Sequence, residues 1–424
     1  MNNLIKHKLD TLYEMSSGIS STPDQAGHGS PFLSFSSVFN NFFLPEELSD
    51  KMKISEQESK SLSINEGDVF LTRTSETIDE LGISSVALKD YPKSSFSGFL
   101  KRLRPIDKEK VYPKYMSYYF RAPYFRKVML NNATLTLRAS LNENIFSYLN
   151  IYLPKYSEQK KIGDFLYLIT KKINLNNKIN ENIIKISKDI FDYWFVQYDF
   201  PNKKNNPYKS TGGKMVYNAK LETKVPYEWE FKDLGSIIKI HSGYPFKSET
   251  YNEKGKYNIL TIKNIHSHKM DISKFNKIEN IPNNMKEHCN LNIGDMLISL
   301  TGEVGRICYA TANNFLLNQR VGLIKPKKNF KDFEPYIYFL LHSEFINKSF
   351  LNNAGGSNQD NLSPIKSLKI KFICPPIELM DMFSKQVKPL IKTLIIKQTE
   401  NIKLLELQKN LISGFSSGRI KIDY

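Results

Sequence analysis

Two long stretches of the chain place apolar residues at alternating steps of three and four. The first, residues 156–198, has no proline and no glycine after Gly163. Its seam is apolar at both ends and polar in the middle. The seam consists of Ile162, Leu166, Ile169, Ile173, Asn176, Asn180, Ile183, Ser187, Ile190 and Trp194. A period of about 3.5 residues kept over about thirty residues predicts a helix that packs along a partner helix. An ordinary amphipathic helix on a globular core is the alternative.

The second stretch, residues 383–415, supplies the partner. Its seam is apolar outside a polar middle at Lys397 and Asn401, and its apolar members are Phe383, Val387, Leu390, Leu394, Leu404, Leu411 and Phe415. If the two helices run antiparallel, their polar middles meet, and a buried polar layer fixes the register of a helix pair. We therefore predict a central antiparallel pair. Pro389 is expected to kink or break the second helix near its start.

The chain also repeats itself. Segments of the first half match segments of the second half in the same order and at a nearly constant offset. Residues 9–18 match 234–243, 32–38 match 259–265, 66–72 match 293–299, and 131–133 match 352–354. Each copy ends in its long helix. The sequence therefore predicts a tandem duplication of a globular domain followed by a helix.

Within each copy the globular part mixes strands and helices. Short strand-like runs, 67–72 and 294–299, each begin at a Gly-Asp turn. Helical runs follow at 112–130 and 335–351. Closing strands are expected at 145–153 and 365–373, where Pro154 and Pro375 end the strand and start the helix. We predict an α+β fold, in which two tandem-duplicated globular α/β domains are separated by two long helices packed as a pseudo-twofold symmetric, antiparallel coiled coil.

These patterns predict the domain boundaries. The first globular domain covers residues 1–153 and the first long helix 154–198. Residues 199–226 are rich in Pro, Asn, Gly and Lys without periodicity, which is typical of a long linker. The second globular domain covers 227–374, and the second helix with a C-terminal tail covers 375–424.

Composition indicates which class of partner the chain binds. The 424 residues carry a net charge of +17 with a pI of about 9.4, which favours a polyanion, most often nucleic acid. A basic surface without function is the alternative. The sparse cysteines, Cys289, Cys308 and Cys374, favour a reducing compartment without disulfides. The N-terminus lacks an apolar signal region, and no segment approaches about eighteen apolar residues. We expect a cytoplasmic protein with no membrane partner.

Motifs that carry catalysis do not appear. Gly212-Gly213-Lys214 lacks the spacing of a phosphate-binding P-loop. Cys374-Pro375-Pro376-Ile377 lacks the polar and aromatic residues of an amino-methyltransferase motif. The histidines near Cys289 match no zinc-site spacing. The sequence therefore predicts a binding protein that is not an enzyme and has no catalytic residue, metal site or cofactor of its own. A fused methyltransferase or nuclease would need the missing motifs.

Candidate nucleic-acid contacts lie in polar loops, several of them directly after the Gly-Asp strands. Arginine can read guanine, asparagine and glutamine can pair with adenine, and serine and threonine suit phosphates. Solvated turns or caps are the alternative for each residue. The candidates are Thr72, Arg73, Thr74, Ser75, Lys101, Arg102, Arg138, Ser299, Thr301, Arg306, Asn318, Gln319, Arg320, Ser357, Asn358 and Gln359.

The middle of the chain resembles the specificity (S) subunits of type I restriction–modification systems. That family typically carries a W-F motif, then Y-K-S-S-G-G-x-M-V, then I-P-x-G-W. Here Trp194-Phe195 precede residues 207–216, PYKSTGGKMV, and residues 225–229, VPYEW, follow. Thr211 replaces the second serine, Val225 the isoleucine and Glu228 the glycine. Gly302-Glu303-Val304-Gly305 and Asn318-Gln319-Arg320 also resemble the family's recognition domains.

The resemblance implies a division of labour. Each globular domain would be a target recognition domain that reads half of a bipartite site in double-stranded DNA. The paired helices would fix the spacing and dock two methylation (M) subunits, which carry S-adenosylmethionine and modify adenine. Restriction (R) subunits would join to translocate and cut. The alternatives are a recognition module of a related fused or multi-subunit system, or a coiled-coil scaffold that does not bind DNA.

Overall fold

The computed structural model describes residues 4–20, 22–75, 80–132, 134–135, 139–140, 143–219, 222–355 and 361–420. The chain forms two compact units. Unit 1 comprises Met1–Ile173 with Leu404–Tyr424, and unit 2 comprises Asn174–Lys403. Each unit therefore contains part of both long helices. No helix within the described residues is long and apolar enough to cross a membrane.

Unit 1 is built on a four-stranded antiparallel sheet. Its strands are β1 (Ile5–Lys8), β2 (Tyr13–Ser17), β3 (Ala26–Leu33), β4 (Asp50–Met52), β5 (Val69–Thr72), β6 (Thr74–Ser75), β7 (Ser84–Val86), β8 (Ser95–Phe96), β9 (Leu100–Pro105), β10 (Thr134–Leu135), β11 (Ala139–Ser140) and β12 (Asn150–Leu153). Its helices are α1 (Phe35–Asn40), α2 (Glu56–Ser61), α3 (Pro113–Tyr119), α4 (Pro123–Asn132), α5 (Glu143–Tyr148) and the start of α6 (Tyr156–Phe191). The main sheet has the order β2–β9–β5–β7, beside smaller sheets β4–β3–β8, β10–β11–β6 and β1–β12.

Unit 2 repeats this topology. Its strands are β13 (Met215–Asn218), β14 (Thr223–Pro226), β15 (Glu230–Asp233), β16 (Ile238–Ser242), β17 (Tyr257–Leu260), β18 (Ile265–His266), β19 (Lys269–Met270), β20 (Asn276–Ile278), β21 (Met296–Ser299), β22 (Ile307–Tyr309), β23 (Phe315–Leu317), β24 (Val321–Pro326) and β25 (Lys371–Cys374). Its helices are α7 (Glu334–His342), α8 (Glu344–Asn353), α9 (Pro364–Ser367) and most of α10 (Ile377–Ser416). The sheets β16–β24–β21–β22, β20–β17–β23 and β15–β25 correspond strand by strand to those of unit 1. The predicted α+β duplication is confirmed.

The Gly-Asp turn that marks each copy has a physical cause. Gly67 and Gly294 adopt φ angles of +94° and +95°, a left-handed conformation that favours glycine. The aspartate that follows each glycine is buried, and Asp68 forms a two-pronged ion pair with Arg104 of β9. The turn therefore begins the central strand of each main sheet, β5 in unit 1 and β21 in unit 2. In unit 1 it also ties β5 to the neighbouring strand β9.

The aromatic motif at the end of α6 belongs to the core of unit 2. The helix finishes in a π-helical turn, Asp192–Val196. In that turn the ring of Phe195 lies 4.9 Å from Tyr336 and 5.3 Å from Phe383. Trp194 packs against Phe383 at 6.0 Å. These side chains anchor the helix end to α7 and α10.

The two long helices pack antiparallel within unit 2, because Asn176 contacts Asn401 while Phe191 contacts Phe383. In unit 1, Thr170 accepts a hydrogen bond from Gln408 at 2.8 Å. Of the predicted seams, most members are buried, and Ile190, Leu390, Lys397, Leu404 and Leu411 are half-buried. The seam of α10 also includes members that the periodicity did not identify, namely Ile391, Gln408 and Ile412.

The polar middles meet, as the sequence predicts. Asn176 Nδ2 donates to Asn401 Oδ1 at 2.8 Å, and Asn401 Nδ2 donates to Asn177 Oδ1 at 2.8 Å. Glu400 accepts hydrogen bonds from Asn176 and Lys397, each at 3.0 Å. We call these five residues the amide layer. Because a buried amide must be paired, the layer favours one register of the two helices.

Pro389 is predicted to kink or break the second helix, and the break does not occur. Helix α10 continues through this position. Proline removes one backbone donor, but Pro389 is exposed, and its neighbours Val387 and Ile391 are buried in the core. Thr393 Oγ1 also donates to the Pro389 carbonyl at 2.9 Å. Packing on both sides of the proline therefore outweighs the local loss.

Several predicted segments are divided in the structure. The helical run at 112–130 consists of α3 and α4, and the run at 335–351 consists of α7 and α8. Ser343 caps α8, because its side chain accepts from the Ile346 amide. The predicted closing strands begin with the short helices α5 and α9, so that only β12 and β25 remain extended. Residues 199–226 include an antiparallel hairpin of β13 and β14, so this segment is more ordered than its composition indicates.

A histidine pair links the sheet region of unit 2 to α10. The rings of His268 and His342 stack with centroids 3.9 Å apart. His268 Nδ1 lies 2.8 Å from Tyr338 Oη, and Gln398 donates to the His268 carbonyl at 2.7 Å. Removal from water lowers the pKa of His268 to about 3 and that of His342 to about 4. Both rings are therefore neutral in the folded chain at pH 7.

We predict that breaking the amide layer on one side destabilises unit 2. Asn176→Ala removes the hydrogen bond that Asn176 donates to the Asn401 carbonyl oxygen, at a cost of about 1–3 kcal/mol in the free energy of unfolding. Replacing both Asn176 and Asn401 by leucine is expected to be neutral or stabilising. Denaturant unfolding measures the difference, with exposed Asn182→Ala as the control. Equal effects of the single and double variants would contradict the prediction.

We predict that stability falls below about pH 6.5 because of the histidine pair. An unfolded histidine takes up a proton near pH 6.5, whereas the folded pair does so only near pH 3–4. The free energy of unfolding should therefore be unaffected by this pair above pH 6.5 and decrease as the pH falls, by about 1–2 kcal/mol per ring near pH 5. Urea unfolding at several pH values tests this. His342→Phe should flatten the decrease, and exposed His28→Phe should not.

Candidate nucleic-acid interface

Four segments meet at one edge of the main sheet in unit 2, where β21 ends. The Leu300 amide donates to the Arg320 carbonyl at 2.9 Å, which joins the loop after β21 to the turn before β24. The Gln319 amide donates to the Tyr244 carbonyl at 3.0 Å, which adds the segment after β16. The Leu362 amide donates to the Leu300 carbonyl at 2.7 Å. We call this edge the reading edge of unit 2.

The loop after β21 is held by an internal brace. Ser299 is buried, and its hydroxyl donates to the Glu303 carbonyl at 2.6 Å and accepts from the Arg306 amide at 3.0 Å. Gly302 and Gly305 both adopt positive φ angles, which allow the tight loop. The Arg306 side chain forms an ion pair with Glu303. Ser299 therefore fixes the conformation of the loop, and the positive charge of Arg306 is paired with Glu303.

The other candidates of unit 2 differ in exposure. Asn318 is buried, and its side-chain oxygen accepts from the Arg320 amide at 3.2 Å. The Thr301 hydroxyl is buried without a hydrogen-bond partner among the described residues. Gln319 and Arg320 are exposed, and within the described part of the chain neither side chain has a hydrogen-bond or ion-pair partner. The structure therefore brings Thr301, Gln319 and Arg320 together at the reading edge.

Unit 1 has an equivalent edge where β5 ends. Thr72 is buried, and its hydroxyl donates to the Glu80 carbonyl at 2.5 Å and accepts from the Ile83 amide at 2.9 Å. It therefore braces its loop as Ser299 does. Arg73 is half-buried, and its guanidinium donates to the Gly98 carbonyl at 3.4 Å. We call this the reading edge of unit 1.

Lys101 and Arg102, which the sequence indicates as candidate nucleic-acid contacts, are both buried in the sheet. Lys101 Nζ donates to Ser17 Oγ at 2.7 Å. Arg102 donates to the Ser63 carbonyl at 2.7 Å and lies 5.3 Å from the centroid of the Phe96 ring. Removal from water lowers the pKa of Arg102. These two side chains stabilise the strands, and their position gives no support to a DNA contact.

For two further candidates the structure gives the backbone position alone. Thr74 and Ser75 form β6, which pairs with β11. Arg138, Ser357, Asn358 and Gln359 lie outside the described residues. Across the described residues, no group of three histidine, cysteine, aspartate or glutamate side chains could hold a metal ion.

A cluster of two lysines and two histidines in unit 2 is not among the candidates predicted from the sequence. Lys239 of β16 lies directly opposite Lys325 of β24. The His241 and His288 rings are 5.0 Å apart, and His288 Nε2 lies 3.0 Å from the Ser242 carbonyl oxygen. The pKa of His241 is lowered, first by partial removal from water and then by His288 and nearby lysines. The alternation of Lys239 and His241 on one strand face could have revealed the cluster.

The equivalent strand pair in unit 1 carries opposite charges. There Glu14 of β2 lies opposite Arg104 of β9. Like charges opposite each other destabilise a sheet. Lys325 is partly neutralised by Asp295 at 2.5 Å. The two lysines lie towards the ends of β16 and β24 that are far from the reading edge of unit 2, and their positive charge suits a phosphate backbone.

Comparisons with known proteins agree with this architecture. The family model described as "Type I restriction modification DNA specificity domain" matches residues 19–185 and 226–406. The MjaIX specificity subunit of Methanocaldococcus jannaschii is 24% identical over 356 residues, which is 80% of this chain and 76% of that protein. The HindI specificity subunit of Haemophilus influenzae is 22% identical over 324 residues, covering 65% of this chain and 70% of that protein.

A solved structure has the same fold. The type I restriction–modification S subunit from M. genitalium superposes with a TM-score of 0.58 at 15% identity, covering 100% of this chain and 97% of that one. The family model matches each half of the chain once, in agreement with the duplicated sheets. The chain therefore belongs to the type I restriction modification DNA specificity family, of which it carries two domains in tandem.

Proposed function

We propose that this specificity subunit reads a bipartite site in double-stranded DNA, and that each unit reads one half. The observation that carries the proposal is the repeated reading edge. In both units a braced loop after the central strand lies beside the turn that enters the next strand. Side chains on such an edge can reach base edges in the major groove, while the sheet behind them holds their positions.

Charge supports the same function. The net charge of +17 favours association with a phosphate backbone. In unit 2 the cluster of Lys239, His241, His288 and Lys325 includes two lysines on β16 and β24, the strands whose other ends border the reading edge. We assign phosphate contacts to this cluster and base contacts to the edge, because phosphate contacts position a protein and base contacts specify the sequence.

Specificity subunits are not catalytic, so the chemistry belongs to partner subunits. The proposed complex contains two methylation subunits, which bind S-adenosylmethionine and modify adenine, and restriction subunits that cut. Helix α6 offers a surface for the methylation subunits. Off the seam that faces α10 there is an exposed stripe of apolar side chains. It comprises Phe165 and Leu168 of α6 in unit 1, Leu175 and Ile186 of α6 in unit 2, and Tyr193 of the π-helical turn that follows α6. Apolar side chains at such helical spacing are typical of a helix that docks in a partner groove.

The long helices would also set the spacing of the two half-sites. Helices α6 and α10 extend over 36 and 40 residues without interruption. A helix pair is stiff along its axis, and the amide layer fixes its register. The number of base pairs between the half-sites should therefore depend on the helices and not on the reading edges.

The function is tested by expressing the chain with its methylation subunits in a host that lacks adenine methylation, and then mapping methylated adenines. We expect one bipartite motif. Exchange of residues 1–153 for the corresponding domain of another family member should change one half-site and preserve the other half-site and the spacing. A complex that assembles without sequence-specific methylation would favour a scaffold, and methyl transfer by the purified chain alone would contradict a non-catalytic subunit.

We predict that charges on the exposed stripe of α6 weaken assembly. Leu175→Glu combined with Ile186→Glu should reduce binding of methylation subunits by about 30-fold or more, as expected for loss of apolar anchors. Co-purification and titration calorimetry measure the effect, and circular dichroism checks the fold. Lys185→Glu on the same helix introduces a comparable charge change outside the stripe and should have little effect. Unchanged assembly of the double variant would exclude this surface.

A further inference from the structure

The turn that enters the β9 and β24 strands is the same in both units. In unit 1 it comprises residues 97–99, between β8 and β9, and in unit 2 residues 318–320, between β23 and β24. The Leu100 amide donates to the Ser97 carbonyl at 2.9 Å, and the Val321 amide donates to the Asn318 carbonyl at 2.9 Å. Each turn therefore closes with the same hydrogen bond.

Both turns are attached to the braced loop in the same way. The Phe99 carbonyl accepts from the Arg73 amide at 2.8 Å, and the Arg320 carbonyl accepts from the Leu300 amide at 2.9 Å. The third residue of each turn is thus fixed by its backbone to the loop after the central strand. Its side chain takes no part in this attachment.

The opposite side of each turn is fixed as well. The Gly98 amide donates to the Ile19 carbonyl at 2.7 Å, and the Gln319 amide donates to the Tyr244 carbonyl at 3.0 Å. These bonds join the turn to the segment that follows β2 in unit 1 and β16 in unit 2. The turn is therefore held by backbone bonds on both sides.

A glycine in each unit allows this close approach. A Cβ atom on Gly18 would collide with the backbone carbonyl oxygen of Phe96, and one on Gly243 would collide with that of Leu317. No side chain can be accommodated at either position without displacing the turn. Residues that are far apart in the sequence thus build the same rigid frame twice.

The frame presents different side chains in the two units. Phe99 is 57% exposed, although contact with water does not stabilise a phenyl ring. Among the described residues, no other ring contacts Phe99. Arg320 occupies the equivalent position and is exposed too. The second residue of the turn also differs, with Gly98 in one unit and Gln319 in the other. A constant backbone that carries variable exposed side chains is suited to reading different base pairs.

We propose that Phe99 and Arg320 are equivalent specificity-determining residues, one for each half-site. Arg320 donates to the O6 and N7 acceptors of a guanine, and Phe99 makes an apolar contact with the methyl group of a thymine. The side-chain chemistry supports this assignment, because guanidinium matches two acceptors and a phenyl ring matches the thymine methyl. The inference rests on the proposed function and adds which position is read in each half-site.

The test uses the full chain with its methylation subunits, in the host used to map the wild-type motif. Arg320→Ala should relax the preference at one guanine of one half-site by about tenfold or more, and Phe99→Ala should relax one thymine of the other half-site. Phe99→Arg should shift that thymine position towards guanine. Thermal unfolding shows that the variants are folded, and Phe99→Leu provides a second apolar variant that should retain the thymine preference.

Matched controls lie at the far ends of the same strands. Ile106 and Lys327 follow β9 and β24, and their amides donate to Leu12 and Ile237 at equivalent positions. Ile106→Ala and Lys327→Ala should leave both half-sites unchanged. If Phe99→Ala and Arg320→Ala also leave a bipartite wild-type motif unchanged, the inference is overturned while the proposed function stands. If the wild-type complex methylates no bipartite motif, both are overturned.

Discussion

The hydrogen-bonded amide layer between α6 and α10 is the constraint on which the helix pair depends. An apolar seam allows helices to slip by one turn at little cost, whereas a buried amide without a partner costs about 1–3 kcal/mol. Asn176 and Asn401 therefore select one register. That register also places Phe191 beside Phe383 in the core of unit 2. The helix pair and the sheet that packs against it are thus positioned by a few buried polar side chains.

Stability and recognition are assigned to different residues, the first on strand β9 and the second in the turn that precedes it. The buried cations Lys101 and Arg102 bind strand and loop oxygens, so they hold the sheet of unit 1 together. Phe99, only two residues before Lys101, is exposed at the reading edge. Because the frame is made of backbone bonds and glycines, the exposed side chain can differ without loss of the fold. This arrangement explains how a duplicated domain can recognise two different base sequences.

Much of the fold follows from local patterns. The seam of α6 and the meeting of the polar middles are predicted correctly, because a helical period is a property of consecutive residues. The break expected at Pro389 does not occur, because burial of Val387 and Ile391 on either side outweighs the local preference. The candidate site is predicted less well. Lys101 and Arg102 are candidate nucleic-acid contacts in the sequence, yet both are buried.

The sequence by itself determined the duplication, the two long helices, the Gly-Asp turns and the family, since each depends on spacing along the chain. Only the tertiary structure decided which polar residues are braces and which are exposed. Ser299 and Arg320 lie 21 positions apart, and the sequence does not reveal that the loop and the turn share a hydrogen bond. The equivalence of Phe99 and Arg320 also depends on strand register and on backbone bonds to distant segments. Such bonds carry no side-chain signal, so the reading edge becomes visible only in the folded chain.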